Sequence, residues 1–499
     1  MDLEEYVKLL HKTEQNVDVN RWQSEGFHVW PLFRGQVISM FRNPESYFKP
    51  ENKTKTSSPS IKERLLSRFY TRKFLKTFRQ QLEEKAGNVN CDVLFYSTAA
   101  SHSDKVNGKW YNRFTDPYIE LLEKKYTVLK LELQKDSAIE KEERSFPPVY
   151  INHHAFLSHF FYKHKNNGGL RISDSPVFTE IKSASGLNFA PAKVDSAFRE
   201  VCYYRDLFRE IFRHIRPRFV FVKCFYENDA AGLVLAAKEC GITTVDIQHG
   251  KQGKCHPMYS HWTALPEKGY ELLPDYFWNW GQESLDNIAY WVNRQDLHVP
   301  VVGGNLWLAK WKREDFHRFS ESEKLELASW QQAEKRILVT LQPLDKQNII
   351  PAYLAEAIRN SPPQWKWLLR RHPFQVITAT ELSELIGAPK DKTESEFASS
   401  IPLYALLKKV DHHVTLWSST CFEANDFDVP TIIAHEFGAK LYTEQIEQHV
   451  FSYAITAESI IDLITQGKPN TKTDYIETDL LFASAAFERI GLSFSESKL

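Results

Sequence analysis

Long apolar runs are missing from this 499-residue chain. Nowhere do about eighteen uncharged apolar residues follow one another, so no membrane-spanning helix is expected. The opening stretch MDLEEYVKLLHKTEQNVD lacks the basic start and apolar core of a secretion signal. Cysteine is sparse and scattered: Cys91, Cys202, Cys224, Cys240, Cys255 and Cys421 form no C-x-x-C pair. That spacing argues against a zinc framework and for reduced, mostly buried thiols in a cytoplasmic protein. Excess charge is also missing, with 63 Lys and Arg against 64 Asp and Glu. A net charge of −1 gives no general pull towards nucleic acid or anionic lipid, so any basic site has to be local. There is no G-x-G-x-x-G fingerprint, and a simple dinucleotide-binding domain is not supported.

What is present is ordinary globular material: 42% hydrophobic and 25% charged residues, on a chain too long for one core. From residue 91 strands and helices alternate. CDVLFYS, YTVLKLEL, PPVYIN, RFVFVKCFY, ITTVDIQHG, DYFWNWG and VPVVGGN read as strands. A long helix covers KVDSAFREVCYYRDLFREIFRHI, and another covers ENDAAGLVLAAKECG. A charged helical connector, FHRFSESEKLELASWQQAEK, leads to a second series: RILVTLQP, AYLAEAIRN, WKWLLRRHP, ATELSELIG, IPLYALLKKV and HHVTLWSSTCFEANDFDVPTIIAHEFG. Strands separated by helices argue for parallel sheets with helices on both faces. Two doubly wound α/β domains, facing across a cleft, are expected. The expected boundaries are an extension over 1–90, a first domain over 91–320 and a second over 321–499.

The extension holds KPENKTKTSSPS, an exposed linker by composition, and then IKERLLSRFYTRKFLKTFRQQLEEK. Here seven Lys or Arg stand against one Glu between Lys62 and Arg79. Ile61, Leu65 and Phe69 recur at helical spacing, as do Leu66, Tyr70, Phe74 and Phe78. Such a helix can lie on an anionic membrane or pack its aromatic stripe on its own domain. Peripheral contact with the inner membrane through residues 61–85 is therefore one reading.

Ligands of open α/β sheets bind beyond the carboxyl ends of the strands. After WKWLL come Arg370, Arg371, His372 and Pro373; after HHVTLW come Ser418, Ser419 and Thr420; after ILVTL come Gln342 and Pro343. Arg and His⁺ neutralise phosphate, while hydroxyls and helix N-terminal amides donate to it. Glu423, one turn into the following helix, is an acceptor-only group suited to two ribose hydroxyls. Taken singly, the arginines are solvated strand ends and the hydroxyls plain helix caps. Together they describe a nucleotide phosphate site. In the first half Glu227, Asn228 and Asp229 follow one strand, and Gln248, His249 and Gly250 follow another. The histidines of INHHAFLSHFFYKHK (His153, His154, His159, His164), and Cys255 with His256 and His261, are better read as helix or loop residues than as metal ligands. His412 and His413 adjoin on one strand and so point to opposite faces.

These pieces resemble the donor domain of glycosyltransferases with the GT-B fold, and more narrowly bacterial transferases of capsule, lipopolysaccharide and other surface glycans. RRHP at 370–373 and SSTCFEA at 418–424 with DVPTII after it carry the resemblance. DIQHG at 246–250, DYFWNWG at 275–281 and VVGGN at 301–305 extend it over roughly 215–440. The His-Pro pair followed by a Ser-Ser/Thr segment is similar to sialyltransferases and Kdo transferases, which use CMP-sugars. The S-x-x-x-x-E-A element is shared with enzymes using UDP- or GDP-sugars. The resemblance implies that His372 and Ser418–Thr420 hold the donor phosphate and that Glu423 holds the ribose; the strand-end rule adds Arg370, Arg371 and Gln342 to the donor site. It implies a nucleotide-sugar donor, a glycan or lipid-linked glycan acceptor, no cofactor and no nucleic-acid partner.

No acidic D/E-D/E-G motif marks the base. Candidates are His249, Glu227 and Asp229, with Asp104 and Asp116 behind them. No D-x-D-type metal site is recognised, so leaving-group stabilisation falls to Arg371, His372 and the helix N-terminus, and transfer is expected to be metal-independent. Two alternatives stay open: a nucleotide-sugar epimerase or CDP-polyol phosphotransferase on the same frame, and a non-catalytic scaffold.

Overall fold

The structure, a computed structural model, describes residues 3–42, 61–86, 91–98, 101–133, 143–151, 155, 171–187, 189–250, 252, 256–292, 296–314, 319–330, 332–346, 348–372, 377–389, 391–467, 471, 473 and 475–494. The 49–60 linker, His153, His154, His159, His164, Cys255 and Pro373 lie outside them. The chain divides into two compact units, each built on one parallel sheet.

Unit 1 carries seven parallel strands: β1 (Val93–Thr98), β2 (Val128–Leu133), β3 (Val149–Ile151), β4 (Phe219–Lys223), β5 (Thr243–Ile247), β6 (Tyr276–Asn279) and β7 (Val299–Val302). They lie in the order β7-β6-β5-β4-β1-β2-β3. Alternation splits each central strand between two cores. Leu94, Tyr96, Val220 and Val222 join the larger one, while Val93, Phe95, Phe219 and Phe221 join the smaller.

The larger core is roofed by α1 (Leu3–Asn16), α2 (Trp30–Arg42), α3 (Ile61–Ala86), α4 (Pro191–Ile215) and α5 (Asn228–Glu239). The last two approach closely at Gly232. A Cβ there would stand 2.5 Å from the Tyr204 Cβ and 2.8 Å from the Val201 carbonyl oxygen, so only glycine fits. Unit 2 holds six parallel strands: β8 (Lys335–Thr340), β9 (Trp365–Arg370), β10 (Thr393–Glu394), β11 (His412–Thr415), β12 (Thr431–Ile433) and β13 (Ser452–Tyr453). Their order is β10-β9-β8-β11-β12-β13, around a core of Ile337, Val339, Trp367, Leu369, Val414 and Ile432. Both orders run outward in each direction from a first strand, as in doubly wound folds.

The boundaries differ from those expected. Unit 1 takes residues 1–103, 109–307 and 479–499, and unit 2 takes 104–108 and 308–478. The described helices of the N-terminal segment, α1 to α3, bury their apolar faces in the core of unit 1. The C-terminal tail also belongs to unit 1. Ala483, Ala486, Phe487 and Ile490 of the helix Leu480–Ile490 close its smaller core, with Phe487 packing 4.7 Å from Trp278.

A buried ion pair fastens α1 and α2 to the loop after β5. Arg34 and Glu14 have fully buried side chains 2.6 Å apart. All five guanidinium N–H groups are used: Nη1 on Glu14 and the His261 carbonyl, Nε and Nη2 on the Pro257 carbonyl, and Nη2 also on Ser260. Glu14 accepts further bonds from Trp30 Nε1 at 2.6 Å and from the Thr263 N–H at 2.7 Å. A buried pair is stabilising only when such bonds offset its desolvation. Arg34→Met strands the Glu14 carboxylate, and we expect it to lower the unfolding free energy by about 3–5 kcal/mol. Denaturant titration measures that loss, and hydrogen exchange should show 256–263 opening first. An unchanged midpoint would mean that the pair does not hold this loop.

Candidate functional site

The strand order of unit 2 reverses between β8 and β11, the place where doubly wound sheets open a crevice at their carboxyl edge. Register shows which loops meet there. Thr340 lies opposite both Arg370 and Thr415, and Thr415 lies opposite Ile433. The segments at Gln342, Arg371–His372, Leu416–Thr420 and His435 thus leave one edge of four adjacent strands. The structure places every expected phosphate-site residue of this half on that edge, with Glu423 in the helix that follows.

The hydroxyl turn is built differently from a plain cap. The helix α6 (Thr420–Asp426) is seven residues long, and Ser419 at its N-cap has αR dihedrals with no side-chain cap bond. Ser418 acts instead: its Oγ accepts from the Thr420 N–H at 3.3 Å and meets Thr420 Oγ1 at 2.9 Å. The turn is held from below and from one side. Ser418 donates its N–H to Thr415 Oγ1 at 3.3 Å, and Tyr442 donates its hydroxyl to the Trp417 carbonyl at 3.0 Å. Gly438 packs so close to this turn that a Cβ would overlap the Leu416 carbonyl oxygen. Glu423 is buried, and Tyr404 donates to its Oε1 at 3.1 Å.

Beneath the turn lies a buried polar chain across three strands. Thr340 Oγ1 bonds the His413 ring Nε2 at 2.9 Å and Thr415 Oγ1 at 3.0 Å, while His413 Nδ1 meets Thr431 Oγ1 at 3.1 Å. Burial pushes the His413 pKa down to about 3, so the imidazole is neutral and donates from one nitrogen only. His412 points to the other face, as alternation requires. It is 4% exposed, and neither ring nitrogen has a hydrogen-bond partner among the described residues. Burial lowers its pKa to about 4, with Lys335 adding to the effect.

The two arginines have work within unit 2. Arg370 Nη1 donates to the Ala398 and Ile401 carbonyls at 2.7 and 2.6 Å, which clamps the 398–401 loop. Arg371 pairs with Glu396 at 2.8 Å and donates to Ser399 Oγ and the Ile377 carbonyl. His372 is half-buried beside it. Gln342 is 7% exposed, and its Nε2 has no partner among the described residues. A buried amide donor without a partner costs roughly 1–3 kcal/mol, and a ligand oxygen would remove that cost. The triplet Asp426-Phe427-Asp428 reads D-x-D, a pattern the sequence reading passed over. It lies where α6 returns to the amino end of β12, away from this edge, with Asp426 on Lys312 at 2.5 Å.

In unit 1 the reversal falls between β1 and β4. Glu227 and Asp229 follow β4, with Glu227 exposed at the N-cap of α5. Asp229 accepts from the Tyr96 hydroxyl at 2.6 Å. His249 follows β5, with its Nε2 3.4 Å from the Tyr226 hydroxyl. Asp246, at the end of β5, is fully buried under Tyr259, which donates to it at 2.8 Å. Burial raises the Asp246 pKa to about 7. Asp116 is buried against Lys130 at 2.6 Å, the Asn112 N–H and Thr115, which leaves it no open face as a base.

That lysine belongs to a cluster the sequence reading missed. Lys130, Glu132, Arg144 and His102 are buried together, with Arg144 on Glu132 and His102 Nε2 3.3 Å from each of Lys130 Nζ and Glu132 Oε1. The available signal was VLKLEL itself, in which two opposite charges sit two apart on a strand otherwise fit for a core. Lys223, at the end of β4, was missed as well. It donates to Ser101 Oγ at 3.1 Å and lies 4.7 Å from the Phe114 ring centroid.

Among the described residues, no group of three or more His, Cys, Asp or Glu side chains is arranged to hold a metal ion, and no helix is long and apolar enough to cross a membrane. No protein-family model and no curated protein sequence matches the chain. Solved structures do match its shape. A UDP-GlcNAc 2-epimerase from Methanocaldococcus jannaschii aligns with TM-score 0.49 and 12% identity, over 79% of this chain and 98% of that one. The UDP-GlcNAc 2-epimerase from Neisseria meningitidis, bound to UDP-GlcNAc, aligns with TM-score 0.48 and 13% identity, over 80% and 98%. A glycotransferase of kitacinnamycin aligns with TM-score 0.42 and 13% identity, over 81% and 93%. Likeness at this level decides nothing between transfer and epimerisation.

His412 yields a test of the electrostatics under the site. Its folded pKa of about 4 lies below the ordinary value of 6.5. From pH 6.5 down to that value the unfolded chain therefore takes up a proton that the folded chain refuses. Stability from this group is complete above that window and falls by about 1.4 kcal/mol per pH unit within it. His412→Phe removes both that loss and two unpartnered ring nitrogens. We expect it to stabilise at pH 8 and by a larger margin at pH 5, measured by denaturant unfolding. An equal shift at both pH values would refute a neutral buried His412.

Proposed function

We propose that the chain binds a nucleotide-activated sugar at the carboxyl edge of the unit 2 sheet and transfers the sugar to a glycan acceptor. One observation carries this reading: the buried Gln342 amide donor, without a partner among the described residues, shares its sheet edge with the Ser418–Thr420 turn and with His372. A phosphate oxygen would accept from Gln342 Nε2, from the turn's hydroxyl and backbone donors, and from His372 when protonated. Glu423, oriented by Tyr404, would accept from the ribose hydroxyls. Arg371 would join by exchanging Glu396, whose side chain is 77% exposed, for the phosphate. Arg370 keeps the 398–401 loop in place behind them.

Glycosidic cleavage leaves a negative charge on the nucleotide phosphate, and donors already fixed in place stabilise that charge most. The donors here are few and mostly neutral, so metal-independent release of a singly linked phosphate, as from a CMP-sugar, is the reading to test first, with UDP- and GDP-sugars beside it. For the acceptor's proton the candidates remain His249, Glu227 and Asp229. Asp229 is engaged by Tyr96, which turns attention to His249 and to the exposed Glu227. The acceptor is read as a surface glycan, free or lipid-linked, in capsule or lipopolysaccharide assembly. The location is read as the cytoplasm, in keeping with the thiols of Cys91, Cys202, Cys224, Cys240 and Cys421, which form no disulfide among the described residues.

A thermal-shift panel of CMP, CDP, UDP, GDP and dTDP tests the reading on wild type, Gln342→Ala and His372→Ala. A ligand at a hundred times its dissociation constant should stabilise by about 2.7 kcal/mol. We expect one nucleotide to shift wild type and both variants to lose most of the shift. If none does, the transferase reading falls below the scaffold reading. With the donor class known, product analysis separates the reactions, because a transferase consumes acceptor and an epimerase does not.

A further inference from the structure

We propose that the solvent face of α3 docks the protein on an anionic membrane surface. This helix carries two apolar stripes, and the fold uses only one of them. Ser67, Phe74, Phe78 and Leu82 are buried, with Leu66 and Tyr70 half-buried beside them. Gln81 fixes the roll of the helix about its axis: its Oε1 accepts from the Tyr150 N–H at 2.9 Å and its Nε2 donates to the Tyr150 carbonyl at 3.3 Å. Tyr150 lies in β3, the outer strand of the sheet, so this amide also covers an edge that would otherwise offer unpaired backbone groups.

With the roll fixed, the other stripe faces solvent. Leu65 is 60% and Phe69 48% exposed, one helical turn apart. Arg68, Arg72, Lys73, Lys76 and Arg79 surround them, all exposed, and no acidic residue occurs between Leu65 and Leu82. Arg68, Arg72 and Lys76 make no ion pair among the described residues. Lys73 lies over the Phe69 ring at 4.7 Å. In a chain of net charge −1 this is a strong local concentration of one sign. Like charges at adjacent helical positions repel, and a surface that supplies many anions relieves them. Grooves of about 400 and 540 Å³ flank the helix: Arg72, Lys76 and Arg79 line the first with Glu83, and Arg68 and Arg72 line the second with Asp206 and Glu210, where Arg213 is paired with Glu210 and Arg209 with Glu239. The first gives a headgroup phosphate room beside three cations.

The pattern favours a bilayer over a shaped protein partner. Two apolar side chains on a convex helix enter the headgroup region, while long cationic side chains spread around them and reach up to phosphate. With so little apolar area the attachment is mainly electrostatic, and so reversible and sensitive to salt. It does not depend on which reaction unit 2 performs.

Vesicle flotation tests the proposal on the full chain, comparing phosphatidylcholine alone with an equal mixture of phosphatidylcholine and phosphatidylglycerol. Wild type should float with the anionic vesicles at low salt, stay behind with the neutral ones, and be released at 1 M salt, where the Debye length is about 3 Å. Each cation near the surface is worth about fivefold in binding, so the double variant Arg72→Glu/Lys76→Glu should lose more than about a hundredfold. Phe69→Ser should weaken binding several-fold. All three side chains are exposed, so unchanged melting temperatures would show that the variants fold. The proposal is overturned if wild type fails to float with anionic vesicles, or if the charge-reversed variant floats equally well. Capture by soluble polyglutamate without vesicle binding would also overturn it, and would assign the face to an acidic protein.

Discussion

The neutral imidazole of His413 is the contact on which the candidate site depends. It bridges Thr340 on β8 and Thr431 on β12 from the strand between them. Valine at that position would leave two buried hydroxyls to find other partners. A charged imidazole would carry a second N–H where acceptors are already shared. Because burial keeps the ring neutral, Thr340 can also bond Thr415, and Thr415 can accept the Ser418 N–H. A core hydrogen-bond chain thus ends in the backbone of the hydroxyl turn. The geometry of that turn is set by strand register, and less by the helix it starts.

How much of this was legible depended on range. Strands and helices were readable because their periods are local: VLFYST, FVFVK and KRILVT each announce themselves in six residues or fewer. The loops at 342, 370–372 and 418–420 followed from one rule about strand ends. Strand order was not readable, because nothing within β8 says that β11 is its neighbour. The Arg34–Glu14 lock was hidden for the same reason, since three of its acceptors are carbonyls more than 220 residues away. The return of Leu480–Ile490 to unit 1 was equally invisible, as its alanine and phenylalanine face would suit either sheet. For Lys130 and Glu132 the signal was local but contrary. A charged pair inside a buried strand looks like an error until its partners, Asp116 and Arg144, are known.

The two units spend their polar groups differently. In unit 1 the charges are already engaged: Asp229, beside the strand reversal, accepts from the Tyr96 hydroxyl, and on and around β2 Asp116 pairs with Lys130 and Glu132 with Arg144. Matched buried charges rigidify and specify a fold while adding little net stability. At the reversal of unit 2, beside the engaged Arg370 and Arg371, the polar groups are neutral hydroxyls, an amide donor without a partner among the described residues, and a half-buried histidine. Preorganised neutral donors are inexpensive to leave waiting, because the desolvation penalty of a hydroxyl is far smaller than that of a buried ion. A sheet edge built this way can carry such donors without unfolding the sheet.

That asymmetry bears on charge. If both Arg370 and Arg371 were free, the edge of unit 2 would present two permanent cations and would favour the most highly charged phosphate available. Instead Arg370 is fixed on two carbonyls, and Arg371 has an exposed carboxylate to displace. Recruiting Arg371 costs the Glu396 pair, but a partner so exposed contributes little. In the proposed reading, Arg371 leaves Glu396 for an arriving anion and returns to it afterwards. In that reading no fixed pair of cation contacts has to break when the product leaves.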